Sequence, residues 1–344
     1  MDVSKAGTYT VSSWVKTWYE VYAEPRIRPN TKSYYTNYIE NHIIPGIGDV
    51  PLDKLTTIQI QRFYNNLQKS GRVQRKNFPE LKDKSLSPRV VRGVHTLLHN
   101  CLEQAVSERL ILTNPAQGCK LPQLEKKEMK ILPQEKIGMY LAEAEKRGLL
   151  AAFYLELTTG LRLGEICALQ WEDPNLKTGA LQVERQVHRV RGKLVVSPPK
   201  TKAGRRTVLL PPPVLNVLKS YRTTSTSRWM FPSPVKEDSP MDPAAVRKRL
   251  QTVLERADCK RLRFHDLRHT FATASLEHGM DVKILSTIIG HVSSSTTLNI
   301  YAHVTGEMQR TAAAKIDMGI GKAVPSAEQE ILPSKPAPST FQPY

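Results

Sequence analysis

The segment RFHDLRHTFAT, residues 263–273, contains the densest set of reactive side chains in the chain. His265, Asp266, Arg268 and His269 fall within one predicted helix. Two histidines four positions apart share a helical face, and zinc proteases use that spacing with an acidic residue between the ligands. The alternative is a phosphate site, because an arginine fork matches phosphate oxygens and an imidazole can donate a hydrogen bond or move a proton.

The residue types favour phosphate over zinc. Arg268 lies three residues after His265 and therefore on nearly the same helical face, where a permanent cation opposes a dication. Asp266 is one methylene shorter than the glutamate that such zinc enzymes direct at a metal-bound water, although His291 could supply a third ligand. We therefore predict a phosphate site with no metal and no other cofactor, and we expect His269 to pack inward.

Three further segments could complete a phosphate site. TTGLRLGE places Arg162 in a glycine-flanked turn before an apolar helix, where backbone amides and a guanidinium can both face an anion. PKTKAGRR places Lys200 on an exposed loop, within a run of seven basic residues and no acid over 189–206, and this lysine could act as a proton donor. GHVSSSTTLNIYAHV places Tyr301 ten residues after His291.

Hydrophobic periodicity predicts a multidomain chain of the α and α+β classes. After a leader of residues 1–10, we expect an all-helical domain over 11–118 and a linker over 119–131, which is rich in Pro, Gly and charge. Residues 132–320 are predicted to be mainly helical with one small antiparallel sheet, whose hairpin turn falls at residues 191 and 192. Residues 321–344 have a composition typical of disorder.

The net charge of +18 indicates a polyanionic partner. Residues 306–344 hold four basic and four acidic side chains, so the whole excess lies in residues 1–305. Nucleic acid is favoured over a membrane because no basic amphipathic anchor is evident. The four cysteines lack metal or disulfide spacing, and no segment resembles a membrane span or signal peptide, so we expect a soluble cytoplasmic protein with free thiols.

Basic residues in both domains are candidates for contact with DNA phosphates. Arg89 and Arg92 lie on the polar side of a helix predicted to begin after Ser87, where a solvated helix face is an equally good interpretation. The complete set of candidates is Lys32, Arg89, Arg92, Lys202 and Arg205.

Five segments resemble the motifs of the tyrosine recombinases, also called phage-type integrases, in that family's order. These segments are TGLRLGE, PKTKAGRR, HDLRHTFAT, IIGHVSSSTT and IYAHV. They span residues 158–303, and the helical first part resembles the family's core-binding domain, so the resemblance covers about 300 residues. PKTKAGRRTV and IYAHV most resemble integrases of conjugative transposons and related prophages. Many such integrases carry a further arm-DNA-binding domain, but this chain enters its core-binding domain within about ten residues, so arm-site binding is not assumed.

The resemblance implies a role for each matching residue. By motif these are Arg162 and Arg268 as catalytic arginines, Lys200 as general acid, His265 and His291 at the two histidine positions, Tyr301 as nucleophile, and Glu165 as an orienting residue behind the site. It further implies that the enzyme cuts and rejoins DNA through a 3′-phosphotyrosyl intermediate, without metal or ATP.

The resemblance also implies partners. These are double-stranded DNA at element ends and crossover sites, a homotetramer on that DNA, and an excisionase or DNA-bending accessory protein, all at the bacterial nucleoid. A segment over 305–316 could form a short helix that docks on a neighbouring subunit or caps its own domain. Two other functions stay open at this point: a type IB topoisomerase, and a DNA-binding regulator that does not use the catalytic residues.

Overall fold

The computed structural model forms two compact units, Met1–Glu128 and Met129–Tyr344. The residues that the structure describes are 9–74, 79–80, 82–125, 129–190, 192–199, 201–291, 293, 295 and 297–298. Their architecture confirms the predicted fold class, with a helical first unit and a mainly helical second unit that contains short antiparallel strands.

The described residues of the first unit contain five α-helices. They are α1 (Val11–Trp18), α2 (Pro29–Tyr38), α3 (Ile44–Ile47), α4 (Thr57–Ser70) and α5 (Pro88–Ser107). Wider π-type turns extend α1 over Tyr19–Ala23 and α2 over Ile39–Ile43, and 3-10 turns cover Glu24–Arg26 and Leu52–Lys54.

Helix α5 begins as its sequence predicts and forms the centre of the first core. Ser87 is the N-cap and Pro88 occupies the first helical position, where its missing N–H costs no hydrogen bond. The apolar face of α5 is buried against α1, and the Trp14 indole donates a hydrogen bond to the Cys101 carbonyl at 2.9 Å. The basic residues Arg89 and Arg92 lie on the other side of α5, where Arg89 is exposed and Arg92 is partly exposed.

The second unit contains seven α-helices and four strands among its described residues. The helices are α6 (Gln134–Lys146), α7 (Leu150–Thr159), α8 (Leu163–Cys167), α9 (Pro212–Thr223), α10 (Pro243–Arg256), α11 (Phe264–Glu277) and α12 (Val282–Ile289). The strands are β1 (Ala180–Val183), β2 (Gln186–Val190), β3 (Lys193–Ser197) and β4 (Arg206–Leu209), and a 3-10 turn covers Lys202–Gly204. Helix α7 packs against α6, α9 and α11 and carries much of this unit's core.

The four strands form two ladders where the sequence predicted one small sheet. Strand β1 pairs antiparallel with β4, and β2 pairs antiparallel with β3, with Val190 opposite Lys193. The hairpin therefore turns at the predicted place. The ladders separate because β1 and β4 bury alternate side chains in the core, whereas Val187 is the one buried residue described in the β2–β3 hairpin.

The described parts of the predicted linker pack at both ends. Cys119 and Leu121 contact the core of the first unit, and Met129 contacts a small apolar cluster around Phe271 in the second. The four cysteines are free thiols. No helix among the described residues has the length and apolar character needed to cross a membrane.

Several predictions fall outside the described residues. They concern most of the leader, Lys200, Tyr301, the helix over 305–316 and the tail over 321–344.

Candidate active site

The C-terminal end of α12 gathers three arginine side chains. The last carbonyls of a helix lack partners inside it and carry the negative end of the helix dipole. Three consecutive carbonyls here each accept a hydrogen bond from a different arginine: Ile288 O from Arg206 Nε at 2.5 Å, Ile289 O from Arg268 Nη2 at 2.5 Å, and Gly290 O from Arg162 Nη2 at 3.0 Å. One helix end therefore holds three cations that come from β4, α11 and the turn before α8.

Gly290 makes this arrangement possible. It ends α12 in the left-handed conformation, with φ of 66°. A Cβ atom at this position would lie 2.9 Å from both the Ala203 carbonyl oxygen and Arg206 Nη1. Glycine is therefore needed at position 290 for two reasons: the left-handed backbone conformation, and the lack of space for a Cβ atom.

Glu165 links two of the three arginines from behind. Its side chain is buried and accepts hydrogen bonds from the Arg162 backbone N–H, from Arg162 Nη1 and from Arg206 Nη2, each at 2.9 Å. Burial alone would raise the pKa of Glu165, but hydrogen bonding and charge from Arg206 and Arg162 outweigh it, so the pKa lies below its ordinary value. The ionised carboxylate holds the Arg162 guanidinium in place, and its orienting role in catalysis stays a prediction.

Arg162 and Arg268 differ in accessibility. The Arg162 side chain is 40% exposed, whereas Arg268 is 1% exposed. Arg268 Nη1 donates to the Gly160 carbonyl at 2.7 Å, and Gly160 ends α7 with φ of 59°. Burial, followed by the charge of Arg162, lowers the pKa of Arg268 to about 10, so its guanidinium is still charged at neutral pH. Arg162 therefore faces solvent, while Arg268 supplies positive charge from below the surface.

Two histidines lie close enough to the arginines for their positive charge to lower the histidine pKa values. Desolvation by neighbouring protein atoms, then His269, Arg268 and Arg162, lower the pKa of the exposed His265 to about 4. Desolvation, then Arg268 and Arg162, lower the pKa of the half-buried His291 to about 4 as well. The structure thus brings four of the six predicted catalytic residues into one electrostatic neighbourhood.

The acidic residue of the RFHDLRHTFAT segment stabilises the first turn of α11. Asp266 is buried and accepts hydrogen bonds from the backbone N–H and Nη2 of Arg263, both at 2.7 Å, which closes the first turn of α11. His269 is buried, as expected, with its ring centroid 4.6 Å from that of His265. Within the described residues, no three His, Cys, Asp or Glu side chains are grouped as a metal site.

Arg206 belongs to this cluster, and sequence reasoning missed it. The prediction selected its neighbours Lys202 and Arg205, both of which the structure leaves exposed. The available signal was the period of two in β4, which places Arg206 on the same face as Val208, a buried core residue. That alternation predicts an inward Arg206 and an outward Arg205.

The remaining predicted residues fall into two groups. Lys200 and Tyr301 lie outside the described residues. Among the proposed DNA contacts, some side chains have partners inside the protein and others are simply exposed. Lys32 pairs with Glu24 at 3.2 Å, Arg92 Nη1 donates to the Pro122 carbonyl at 2.9 Å, Arg205 lies 3.8 Å from Glu184, and Arg89 and Lys202 are exposed.

Comparison with known proteins decides the family. Residues 124–308, more than half of the chain, match the model of the phage integrase family. The chain belongs to the phage integrase family. Residues 10–68 also match the family's N-terminal SAM-like domain. Members of this family are tyrosine recombinases, so the chain is an enzyme of DNA strand exchange, and membership favours the recombinase over the topoisomerase alternative.

Three similar proteins illustrate the relationship. A tyrosine recombinase XerC-like protein of Caldanaerobacter subterraneus is 27% identical over 90% of this chain and 83% of its own length. The Tn1549 transposon integrase, solved with a circular intermediate DNA, is 19% identical with a TM-score of 0.74, over 90% of this chain and 100% of that one. A lambda integrase tetramer bound to a Holliday junction gives a TM-score of 0.63 at 19% identity, over 85% and 80% of the two chains. The two structures support the fold.

Proposed function

We propose that this chain is the integrase of a mobile element, and that it cuts and rejoins double-stranded DNA at the cluster formed by Arg162, Arg206 and Arg268. The observation that carries the proposal is the charge of this cluster. Glu165 is the one ionised carboxylate that bonds to these arginines among the described residues, which leaves two positive charges uncompensated. A phosphodiester has one negative charge and its pentacoordinate transition state has two, so the cluster suits the transition state better than the ground state.

Tyr301 is the proposed nucleophile. Its phenol has an ordinary pKa of about 10 and needs an electrophilic phosphorus held in line. Attack forms the bond between the tyrosine oxygen and phosphorus, with the phenolic proton released to solvent. It breaks the bond from phosphorus to the 5′-oxygen, which takes a proton from the Lys200 ammonium. The bond energy is kept in the 3′-phosphotyrosyl link, so rejoining by a 5′-hydroxyl needs no ATP. Charge stabilisation by arginine removes the need for a metal ion.

The histidines donate hydrogen bonds to the phosphate in this proposal. With a pKa of about 4, His265 and His291 are neutral at pH 7 in the free enzyme, and a neutral imidazole has one N–H donor. His291 Nδ1 lies 2.9 Å from Thr297 Oγ1, which leaves Nε2 to face the phosphate. Binding of the anion would raise both pKa values, because it offsets the neighbouring arginines.

Assembly and accessory partners follow from the chemistry. Recombination exchanges two pairs of strands, and each protomer offers one Tyr301, so four protomers must act on two DNA segments. The tetramer of lambda integrase on a Holliday junction supports this arrangement. Each transesterification is nearly isoenergetic, so direction requires an outside partner such as an excisionase or DNA-bending protein. Chromosomal DNA as the target places the reaction at the bacterial nucleoid.

The basic residues of the first unit would bind the DNA backbone. Replacing Arg89 with Ala should lower the slope of log Kd against log salt by about 0.9, because one phosphate contact and its released counterion are removed. Fluorescence anisotropy with labelled element-end DNA measures this slope. Lys146→Ala in the second unit, which removes an exposed lysine near Glu143, is the control. An unchanged slope for Arg89→Ala would assign Arg89 to a solvated helix face.

Covalent trapping tests the proposed chemistry. The wild-type protein and Tyr301→Phe are incubated in EDTA with DNA from the element's ends that carries a nick beside the cleavage position. We expect a denaturant-resistant protein–DNA band with the wild type and none with Tyr301→Phe. Tyr221→Phe, which keeps the ring stacked on Phe231, is the control and should trap normally. Trapping by Tyr301→Phe, or trapping that depends on zinc, would contradict the mechanism.

A further inference from the structure

A buried carboxyl group lies directly beneath the arginine cluster. Glu156 is in the last turn of α7, and its carbonyl accepts the Gly160 N–H at 2.7 Å. The Gly160 carbonyl in turn accepts Arg268 Nη1 at 2.7 Å, so a single helical turn both presents Glu156 and holds Arg268. The Glu156 side chain has no exposed surface, and neither of its oxygens has a hydrogen-bond partner within the described part of the protein.

Two other polar groups nearby share this situation. Arg268 Nε and the Tyr140 hydroxyl are also buried without a described protein partner. Tyr140 comes from α6 and stacks on Phe153 of α7, with ring centroids 5.6 Å apart. Buried polar atoms are normally hydrogen-bonded, so three such groups around one core position indicate an arrangement that serves the site.

Within the described part of the chain, two charged groups act on Glu156. Arg268 of α11 attracts its negative form and Glu165 of α8 repels it, while the Tyr140 phenol faces it from α6. Helix α9, which also packs on α7, contributes Val214 and Leu218 to the same core.

Glu156 is better accommodated as a neutral acid than as an anion. An ionised carboxylate without hydrogen bonds in an apolar interior is costly, and burial raises the pKa of Glu156 well above its ordinary range. The neutral form has one O–H donor and a carbonyl acceptor. Through a bridging water it can therefore accept from the Arg268 Nε–H and donate toward the Tyr140 oxygen without bringing a second negative charge beside Arg268.

We propose that Glu156 is a positioning residue for Arg268: it keeps its proton in the folded enzyme and accepts the Arg268 Nε–H through one buried water. This inference rests on the proposed function of Arg268 toward the scissile phosphate. An ionised Glu156 would cancel one of the two positive charges that the cluster offers to the transition state. The protonated form orients the guanidinium and leaves that charge in place.

Stability against pH tests the protonation state without DNA. Unfolding of the full-length wild type and of Glu156→Gln is measured between about pH 5 and about pH 8. The folded wild type keeps a proton that the unfolded chain releases above its ordinary pKa of about 4.3. The wild type should therefore lose stability relative to Glu156→Gln by close to a factor of ten in the unfolding constant per pH unit, until the folded-state pKa is passed. Glu145→Gln, at an exposed position on α6, should show no such trend. A constant difference between wild type and Glu156→Gln would overturn the proposal.

Cleavage of the nicked substrate tests the positioning role. Glu156→Leu removes the acceptor, and cleavage should fall by about 10- to 100-fold with DNA affinity unchanged, which corresponds to one buried hydrogen bond to a charged group. Glu156→Gln keeps a neutral acceptor and should recover most of the lost rate. Normal cleavage by Glu156→Leu, or equal losses in folded Gln and Leu variants, would overturn the proposal. If the wild type itself fails to cleave, the proposed function fails while the pH experiment still decides the state of Glu156.

Discussion

Replacing Arg206 with lysine tests whether the end of α12 and Glu165 together assemble the site. Arg206 is 5% exposed and donates hydrogen bonds to Ile288 O, to Gly204 O and to both oxygens of Glu165. A lysine ammonium is a compact point donor and cannot span the carboxylate and the two carbonyls as the guanidinium fork does. The substitution keeps the positive charge at position 206, so any loss of stability or cleavage comes from the changed hydrogen-bond geometry.

The expected magnitude follows from the hydrogen bonds that a lysine cannot make. Removing one hydrogen bond to the Glu165 carboxylate and one to a carbonyl costs about 2–4 kcal/mol. In a unit of this size that lowers Tm by about 4–16 °C. The loosened Glu165 no longer fixes Arg162, and a displacement of about 1 Å at a reacting group costs about a hundredfold in rate. DNA affinity should change little, because Arg206 is buried.

The adjacent residue provides a matched control. Arg205 lies in the same motif but is 59% exposed, and its nearest carboxylate, on Glu184, is 3.8 Å away. Such an exposed pair contributes about 0–1 kcal/mol, and lysine keeps the charge that a DNA phosphate would bind, so Arg205→Lys should keep wild-type Tm and cleavage. Calorimetry and cleavage of the nicked substrate measure both quantities for the two variants. Wild-type cleavage and Tm in Arg206→Lys, or equal losses in both variants, would refute the role given to Arg206.

Three further outcomes are expected. Arg162→Lys should lose cleavage by about two to three decades, since one preorganised donor contributes about 3–4 kcal/mol, while DNA binding in a gel-shift assay persists; near-normal cleavage would remove Arg162 from the site. Gly290→Ala should reduce both Tm and cleavage because its Cβ meets Arg206 and Ala203, whereas Gly148→Ala, with φ of 65° and open space, should reduce Tm alone; equal cleavage in both variants would contradict the steric argument. Because the pKa values of His265 and His291 are lowered, the unfolded chain binds more protons than the folded protein as pH falls from about 6.5 toward 4. The free energy of unfolding should therefore decrease over that range, and it should decrease less in His291→Asn, as urea unfolding would show.

The local architecture was largely predictable because short-range physics determines it. Ser87 and Pro88 mark a helix start through capping and a fixed φ angle, and α5 begins there. A turn at residues 191 and 192 between two β-prone runs predicts a hairpin, and Val190 pairs with Lys193. The partition of the strands into two ladders was not predictable, because it depends on which strand faces reach the core.

The site was predictable where a motif keeps its residues within a few positions. Arg162 and Glu165 stand three apart at the start of α8, and their contact follows from that spacing. Arg206 and Glu156 were missed for a different reason. Each lies in a segment whose pattern suits ordinary structure, and their partners come from other elements.

The sequence by itself determined the family, the fold class and the residue types available for phosphate chemistry, because motif spacing, helix caps and hydrophobic period act over a few residues. The tertiary structure decided how those residues meet. Arg162, Arg206 and Arg268 reach the end of α12 across 128, 82 and 21 residues of chain. Each of the three carbonyls is a backbone group that any residue type would offer, so no local pattern records which arginine it binds. The packing of α7, α8, α11 and β4 around that helix end determines which arginine each carbonyl binds.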